Sequence, residues 1–185
     1  MNHHLLYNLD LIPFLEQISK LELRFNAGEP SYARCEQEKL LSIENVTSIG
    51  VIENGALRSF LQVALVTEKQ FGLLCNGNIS EYELLTRNSE ERTHVLYFAT
   101  VYCGNHLDGS RLIDALLNTI DASKMADINY SFAIINMLRS TRHLQRFGFK
   151  RIEKTYQNHS FIYVIAGNQW LNNYRNSLTV QRCLA

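Results

Sequence analysis

Apolar residues recur at helical spacing near the start of the chain, where Leu11, Phe14, Leu15, Ile18, Leu21 and Phe25 share one face and Glu22 falls in the same period. Asp10 is suited to cap this helix, and Pro13 is tolerated in its opening turn. The segment Asn26-Ala27-Gly28-Glu29-Pro30 interrupts the pattern, and Ser31 is placed to cap a second helix ending near Asn45. Two β-rich runs follow, Val46–Glu53 and Ala56–Val66, joined by Asn54-Gly55, the strongest short hairpin signal. A further short run, Phe71–Cys75, meets a turn at Asn76-Gly77-Asn78, while Ser80–Arg92 is polar and without a readable period.

The second half is patterned more sharply. Val95–Cys103 is nearly continuous in apolar, β-branched and aromatic residues, as in a central strand covered on both faces. Gly104–Ser110 reads as a turn, and Leu112, Ile113, Leu116, Leu117 and Ile120 then line one face of a helix. Ile128–Ile135 alternates as a strand, with Ile128, Tyr130, Phe132 and Ile134 on one side. Met137–Phe147 predicts a second helix stopped by Gly148. Phe149–Tyr156 and Phe161–Ala166 read as a hairpin turning at Gln157-Asn158-His159, before a polar tail with one helix near Trp170–Tyr174.

The chain has 185 residues, with 18 basic and 18 acidic side chains. That length suits one domain, 1–185, with N-terminal helices and antiparallel strands over 1–92, a strand–helix–strand–helix–hairpin half over 93–166 and a tail over 167–185. A balanced charge gives no electrostatic grip on nucleic acid. No apolar run approaches a bilayer span and no secretory signal opens the chain, so no membrane partner and a cytoplasmic location are expected. Cys35, Cys75, Cys103 and Cys183 are widely spaced, and the six histidines lack ligand spacing. Free thiols and no metal are the expectation.

A buried strand that runs through a glycine-containing loop into a helix suits an anion, because the first helical amides lack internal partners. Here the loop is Leu107-Asp108-Gly109-Ser110-Arg111-Leu112. Gly109 allows close approach to the backbone and Arg111 adds a charge-assisted contact. The same residues equally describe an ordinary strand–turn–helix with one glycine. The motifs for NAD and for ATP are not present.

Over a wider stretch, Tyr102 to Leu117 resembles the acetyl-CoA-binding motif of the GCN5-related N-acetyltransferase (GNAT) family, a strand, a glycine loop and a helix with a Leu-Leu pair. His143-Leu144-Gln145-Arg146-Phe147-Gly148-Phe149 resembles that family's segment ending in Leu-Gly-Phe. The element order agrees as well. The resemblance implies an α/β (α+β) fold with a mixed central sheet flanked by helices, and acyl transfer from acetyl-CoA or another acyl-CoA to a primary amine. By the same resemblance Val101, Tyr102 and Cys103 present backbone to the pantetheine. Asp108, Gly109, Ser110, Arg111, Leu112 and Ile113 occupy the phosphate-binding stretch, and Asn136 lies one residue from the family's helix-start asparagine.

The departures shape the rest. Asp108 stands where the family usually has a basic or amide residue, and Arg111 and Ile113 replace two glycines. Leu144 takes the place of the tyrosine that protonates the leaving thiolate, which leaves His143, Tyr130 or Ser131 as candidate donors. The strand Val95–Cys103 contains no carboxylate, so a base must come from elsewhere, Glu81 or Glu83, or through water. Cys103 reads as a small core residue rather than a nucleophile. Arg139, Arg142, His143, Arg146, Lys150, Arg151 and Lys154 form a basic cluster suited to the 3′-phosphate of CoA or to acyl carrier protein. Three readings result: an acyl-CoA N-acyltransferase, an acyltransferase fed by acyl carrier protein, and a GNAT-like domain that binds without catalysis. A homodimer is open to each.

Overall fold

The computed structural model describes residues 3–25, 32–87, 91–135, 144–145, 147–156, 160–167, 169–174 and 176. It opens with a strand that the pattern did not announce. β1 (His3–Tyr7) pairs antiparallel with β2 (Val46–Glu53), His3 opposite Glu53 and Tyr7 opposite Ile49. Five residues are too few to show a period, and only this long-range pairing makes them a strand. Asn8 then adopts φ 46°, and its side-chain oxygen accepts from the Ser48 amide at 2.8 Å. Asp10 and Pro13 fall inside a 3-10 turn, Asn8–Phe14, that runs straight into α1 (Leu15–Phe25). Asp10 is therefore not the cap expected of it. α2 is short, Arg34–Leu40, and starts with the Glu36 carboxylate accepting from the Ala33 amide at 2.8 Å. Ser31 lies outside the described residues.

The Asn54-Gly55 turn behaves as predicted. Both residues have positive φ, 51° and 77°, which matches the twist of the strands they join. β3 (Ala56–Val66) thereby returns along β2, with Ala56 opposite Glu53. The run at Phe71–Cys75 is not a strand but part of α3 (Glu68–Cys75). Thr67 and Gln70 set it: Thr67 Oγ1 accepts from the Gln70 amide and Gln70 Oε1 from the Thr67 amide, a capping box. The unassigned polar stretch holds α4 (Glu81–Thr86), begun in the same way by Ser80 and Glu83.

β4 (Val95–Tyr102), α5 (His106–Thr119), α6 (Ala122–Ala126), β5 (Tyr130–Ile135), β6 (Lys150–Tyr156) and β7 (Ser160–Ala166) complete the described elements, with residues 169–174 helical. They form a seven-stranded sheet in the order β1-β2-β3-β4-β5-β7-β6. Every neighbouring pair is antiparallel except β4 with β5. On one face α5 sets Leu112, Ala115 and Leu116 against Ile49, Leu61, Leu96 and Phe98. On the other, α1 packs Leu15 and Ile18 against Phe60 and Tyr102, while α2, α3 and α4 cover Val95, Tyr97 and Phe132. Tyr97 and Phe132, both fully buried, stack with centroids 4.4 Å apart and tie the parallel pair together.

Gly148 ends its helical turn as the sequence predicts. The Phe149 amide donates to Leu144 O and the Gly148 amide to Gln145 O, the paired bonds of a Schellman stop, with Gly148 at φ 89°. A Cβ added there would stand 2.5 Å from Asn173 Nδ2, which itself donates to Phe147 O, and 3.1 Å from Ile165 Cδ1. Gly148→Ala therefore combines backbone strain with loss of that bond. It is expected to lower stability by about 1–3 kcal/mol in urea denaturation; an unchanged midpoint would contradict this packing.

Candidate functional site

The parallel pairing of β4 and β5 is short. It runs from Val95 opposite Tyr130 to Phe98 opposite Ala133 and then stops. β4 continues beside β3 as far as Tyr102, opposite Phe60, while β5 continues beside β7 as far as Ile135, opposite Phe161. The two central strands thus part company while each stays anchored on its outer side. The cause is local. Gln62 pairs with Thr100 and Val63 with Phe98, so Ala99 is an extra residue in β4, and a bulge of this kind bends and twists its strand. Main-chain groups alternate sides along a strand, so those of Ala99–Val101 that point toward β5 face the opening instead of a ladder. Val101 is half exposed beside them. A narrow, extended chain with its own amide groups fits such a notch.

Where β4 leaves the sheet, the expected turn Gly104–Ser110 shrinks to a three-residue connection, Cys103–Asn105. Asn105 caps α5, its side-chain oxygen accepting from the Asp108 amide at 2.9 Å. Asp108, Gly109, Ser110 and Arg111 therefore belong to the first turns of the helix and not to a loop. Asp108 is buried, 2% exposed. Its Oδ2 accepts from Ser59 Oγ and from Asn105 Nδ2, each at 3.1 Å, and its Oδ1 lies 3.4 Å from Arg111 Nη1. An acidic side chain in this place also meets the positive end of the helix dipole. Gly109 turns toward Cys103, whose Sγ would be 3.5 Å from a Cβ placed on it. Arg111, with His4, Leu5 and Val51, also lines a recess of about 270 Å³ beside β1. Leu112 and Ile113 pack into the α5–sheet core, so neither is presented to a ligand as the motif implied.

The structure brings Val101, Tyr102 and Cys103 to the opening and does not bring Tyr130 there. Tyr130 sits at the start of β5, opposite Val95 and against Phe71, at the closed end of the parallel pair. Burial, Glu68 and Cys75 push its hydroxyl up to about 12. Burial, with Asp108 nearby, pushes the Cys103 thiol up to about 11. A nucleophilic role is thus poorly served, and Cys103 is the packed residue the sequence indicated. His143, Asn136, Arg139, Arg142 and Arg146 lie outside the described residues. Leu144 is half-buried against the core, while Lys150 and Arg151 are exposed, with the Arg151 guanidinium 3.4 Å above the Phe161 ring. Among the described residues no group of three or more His, Cys, Asp or Glu could hold a metal, and no helix is long and apolar enough to cross a membrane.

The two carboxylates considered as bases separate cleanly. Glu83 is an exposed capping residue, and its bonds from Ser80 hold its carboxyl below the ordinary range. Glu81, at the start of α4, accepts a hydrogen bond from the Tyr97 hydroxyl, and burial raises its carboxyl above the ordinary range. Tyr97 lies on β4 two residues before the bulge. Sequence reasoning missed this pair, although Ser80-x-x-Glu83 was a visible helix start that would have placed Glu81. It also missed Ser59, for which no sequence signal exists.

A twisted mixed sheet that splits between two parallel central strands, with a helix springing from the end of one of them, defines the GNAT acyl-CoA N-acyltransferase fold, and this chain has it. No family model and no curated protein matches the sequence. Solved structures do match in shape. The loading GNATL domain of CurA from Lyngbya majuscula superposes with a TM-score of 0.63 at 12% identity, over 90% of this chain and 98% of that one. FeeM, an N-acyl amino acid synthase from uncultured soil microbes, gives 0.59 at 12% identity over 93% and 96%. The PaiA N-acetyltransferase of Thermoplasma acidophilum, in complex with coenzyme A, gives 0.54 at 12% identity over 90% and 99%.

Glu81 has a measurable signature. With its carboxyl raised in the fold, the native state keeps a proton that the unfolded chain loses near the ordinary value of 4.5. Stability therefore falls as pH climbs above that value, and the penalty is complete above the folded-state pKa. Glu81→Gln removes the charge and keeps an acceptor for Tyr97. Its stability relative to wild type is expected to be more favourable at pH 8 than at pH 4 in chemical denaturation; an equal difference at both would refute the assignment.

Proposed function

We propose that the chain is an N-acyltransferase that takes an acyl group from a thioester on a pantetheine arm, as in acyl-CoA, and passes it to a primary amine. The observation that carries this reading is the opening between β4 and β5. The arm lies along Ala99–Val101, bonded to the main-chain groups that turn toward the opening. A strand amide at the bulge polarises the thioester carbonyl, which is where negative charge grows as the amine attacks. The C–N bond forms, the C–S bond breaks, the amine proton passes to Glu81 directly or through water, and the thiolate leaves with a proton from solvent. Tyr97 holds the Glu81 carboxylate in place. Most of the acceleration comes from holding amine and thioester together.

Neighbours of the same fold support the reading. One, FeeM, is an N-acyl amino acid synthase, and another, PaiA, is in complex with coenzyme A. A second delivery route, the phosphopantetheine arm of acyl carrier protein, is favoured by the buried carboxylate of Asp108 beside the place where a diphosphate would lie. The acceptor amine is set by the surfaces of α1 and α2, which carry no motif that names it.

Titration calorimetry with acetyl-CoA, a long-chain acyl-CoA and acyl carrier protein tests the assignment. At least one acylated carrier is expected to bind saturably. Val101→Trp, which fills the opening from an exposed position, is expected to weaken that binding at least tenfold, about 1.4 kcal/mol, with an unchanged urea midpoint. Full affinity in Val101→Trp would remove the donor from the opening. If no acylated carrier binds wild type, acyl transfer is wrong and a non-catalytic binding domain remains.

A further inference from the structure

We propose that Asp108 makes the site selective for the acyl-pantetheine arm and nearly indifferent to the nucleotide end of CoA, so that the natural donor is an acyl-pantetheine thioester recognised without its diphosphate. This rests on the donor reading of the β4–β5 opening. A diphosphate held at the start of a helix needs free donors, a positive field and room for its oxygens against the backbone. At the start of α5 the side-chain donors, the field and the space beside Gly104 are engaged by the protein itself.

The donors come first. Ser59 Oγ and Asn105 Nδ2 both donate to Asp108 Oδ2, and Arg111 Nη1 faces Asp108 Oδ1. Ser59 Oγ in turn accepts from the Gly104 amide at 2.7 Å, while Asn105 Oδ1 takes the Asp108 amide. A hydroxyl, a side-chain amide, a guanidinium and two backbone amides are thus organised around one internal carboxylate. A bound phosphate would draw on the same set.

The field comes second. Asp108 is 2% exposed, so its charge is weakly screened by water, and the cation that answers it, Arg111, is partly exposed and already paired. A diphosphate entering here meets a like charge that is fixed in position. Room comes third. At Gly104 the chain makes a close approach of its own, since a Cβ there would meet Arg58 O at 3.0 Å and Asp108 Oδ2 at 3.4 Å, whereas one on Gly109 would make only an ordinary contact with Cys103 Sγ at 3.5 Å. The space beside Gly104 is therefore filled by the chain. The stretch of β4 that would carry the arm, Ala99–Val101, is untouched by any of this. Arm recognition and nucleotide recognition are therefore separable in this chain.

The test compares two donors on the full chain by calorimetry, acetyl-pantetheine and acetyl-CoA. Their dissociation constants are expected to agree within about threefold, and the acetyl-CoA value to change less than about threefold between 50 and 500 mM salt. Asp108→Asn, which keeps the shape and removes the charge, is expected to tighten acetyl-CoA about tenfold while leaving acetyl-pantetheine unchanged. Wild-type acetyl-CoA binding at least thirtyfold tighter than acetyl-pantetheine, and weakened by salt, would overturn the proposal and leave the donor reading intact. Because that comparison uses the unaltered chain, it decides the matter even if Asp108→Asn fails to fold. Binding of neither donor would show that the opening holds no pantetheine arm, and both readings would fall.

Discussion

The pairing between Phe98 and Ala133 is the point on which the rest of the structure depends. Up to that pair, seven strands share one continuous ladder; beyond it, the sheet is two sheets held together at the base. Parallel strands need a crossover, and here the crossover is α5 with α6, which covers the face of the sheet that contains Phe98. The extra residue Ala99 bends β4 away just as the stacked pair Tyr97 and Phe132 ends its hold on β5. Strong packing immediately below the split and a bulge immediately above it fix where the opening begins. An opening made this way is stiff, because both walls are still bonded to β3 and β7 on their outer sides.

The same split decides what the start of α5 can be. β4 delivers the chain to the helix through only three residues, and so short a connection draws Asn105 and Asp108 back against β3, where Ser59 waits. A longer glycine loop would leave amides pointing outward. The short one gives the Gly104 and Asp108 amides side-chain acceptors, Ser59 Oγ and Asn105 Oδ1. Anchoring α5 by a buried carboxylate and making it an anion cradle are competing uses of one set of donors, and the geometry here serves the first.

Legibility in the sequence followed the range of the interaction. The Asn54-Gly55 turn, the buried strand Val95–Tyr102, the face of α5 and the stop at Gly148 are all fixed by contacts within a few residues, and all were readable. β1 was not, because five residues gain their identity only from a partner more than 40 positions away. α3 was misread as strand-like because Phe71–Cys75 is a short apolar run, and its capping box begins at Thr67, outside the run. The place of Val101, Tyr102 and Cys103 at the end of β4 was legible through the strand that carries them. Asp108 was picked out with the right neighbours and the wrong environment, since nothing local announces Ser59, 49 residues earlier in the chain. The place of Tyr130 was not legible for a related reason: alternation gives the face of a strand but not which end of a parallel pair stays closed.

Glu81 and Tyr97 show how fold and chemistry part company. Tyr97 is held by stacking on Phe132 and would be explained as a core aromatic if its hydroxyl did not reach Glu81. A carboxylate kept partly out of water costs stability at neutral pH, and a chain selected for stability alone would place a glutamine or an apolar residue there. The Glu83 capping bond fixes where α4 begins, so the position of Glu81 is dictated by a surface residue two places away, while its environment is dictated by β4.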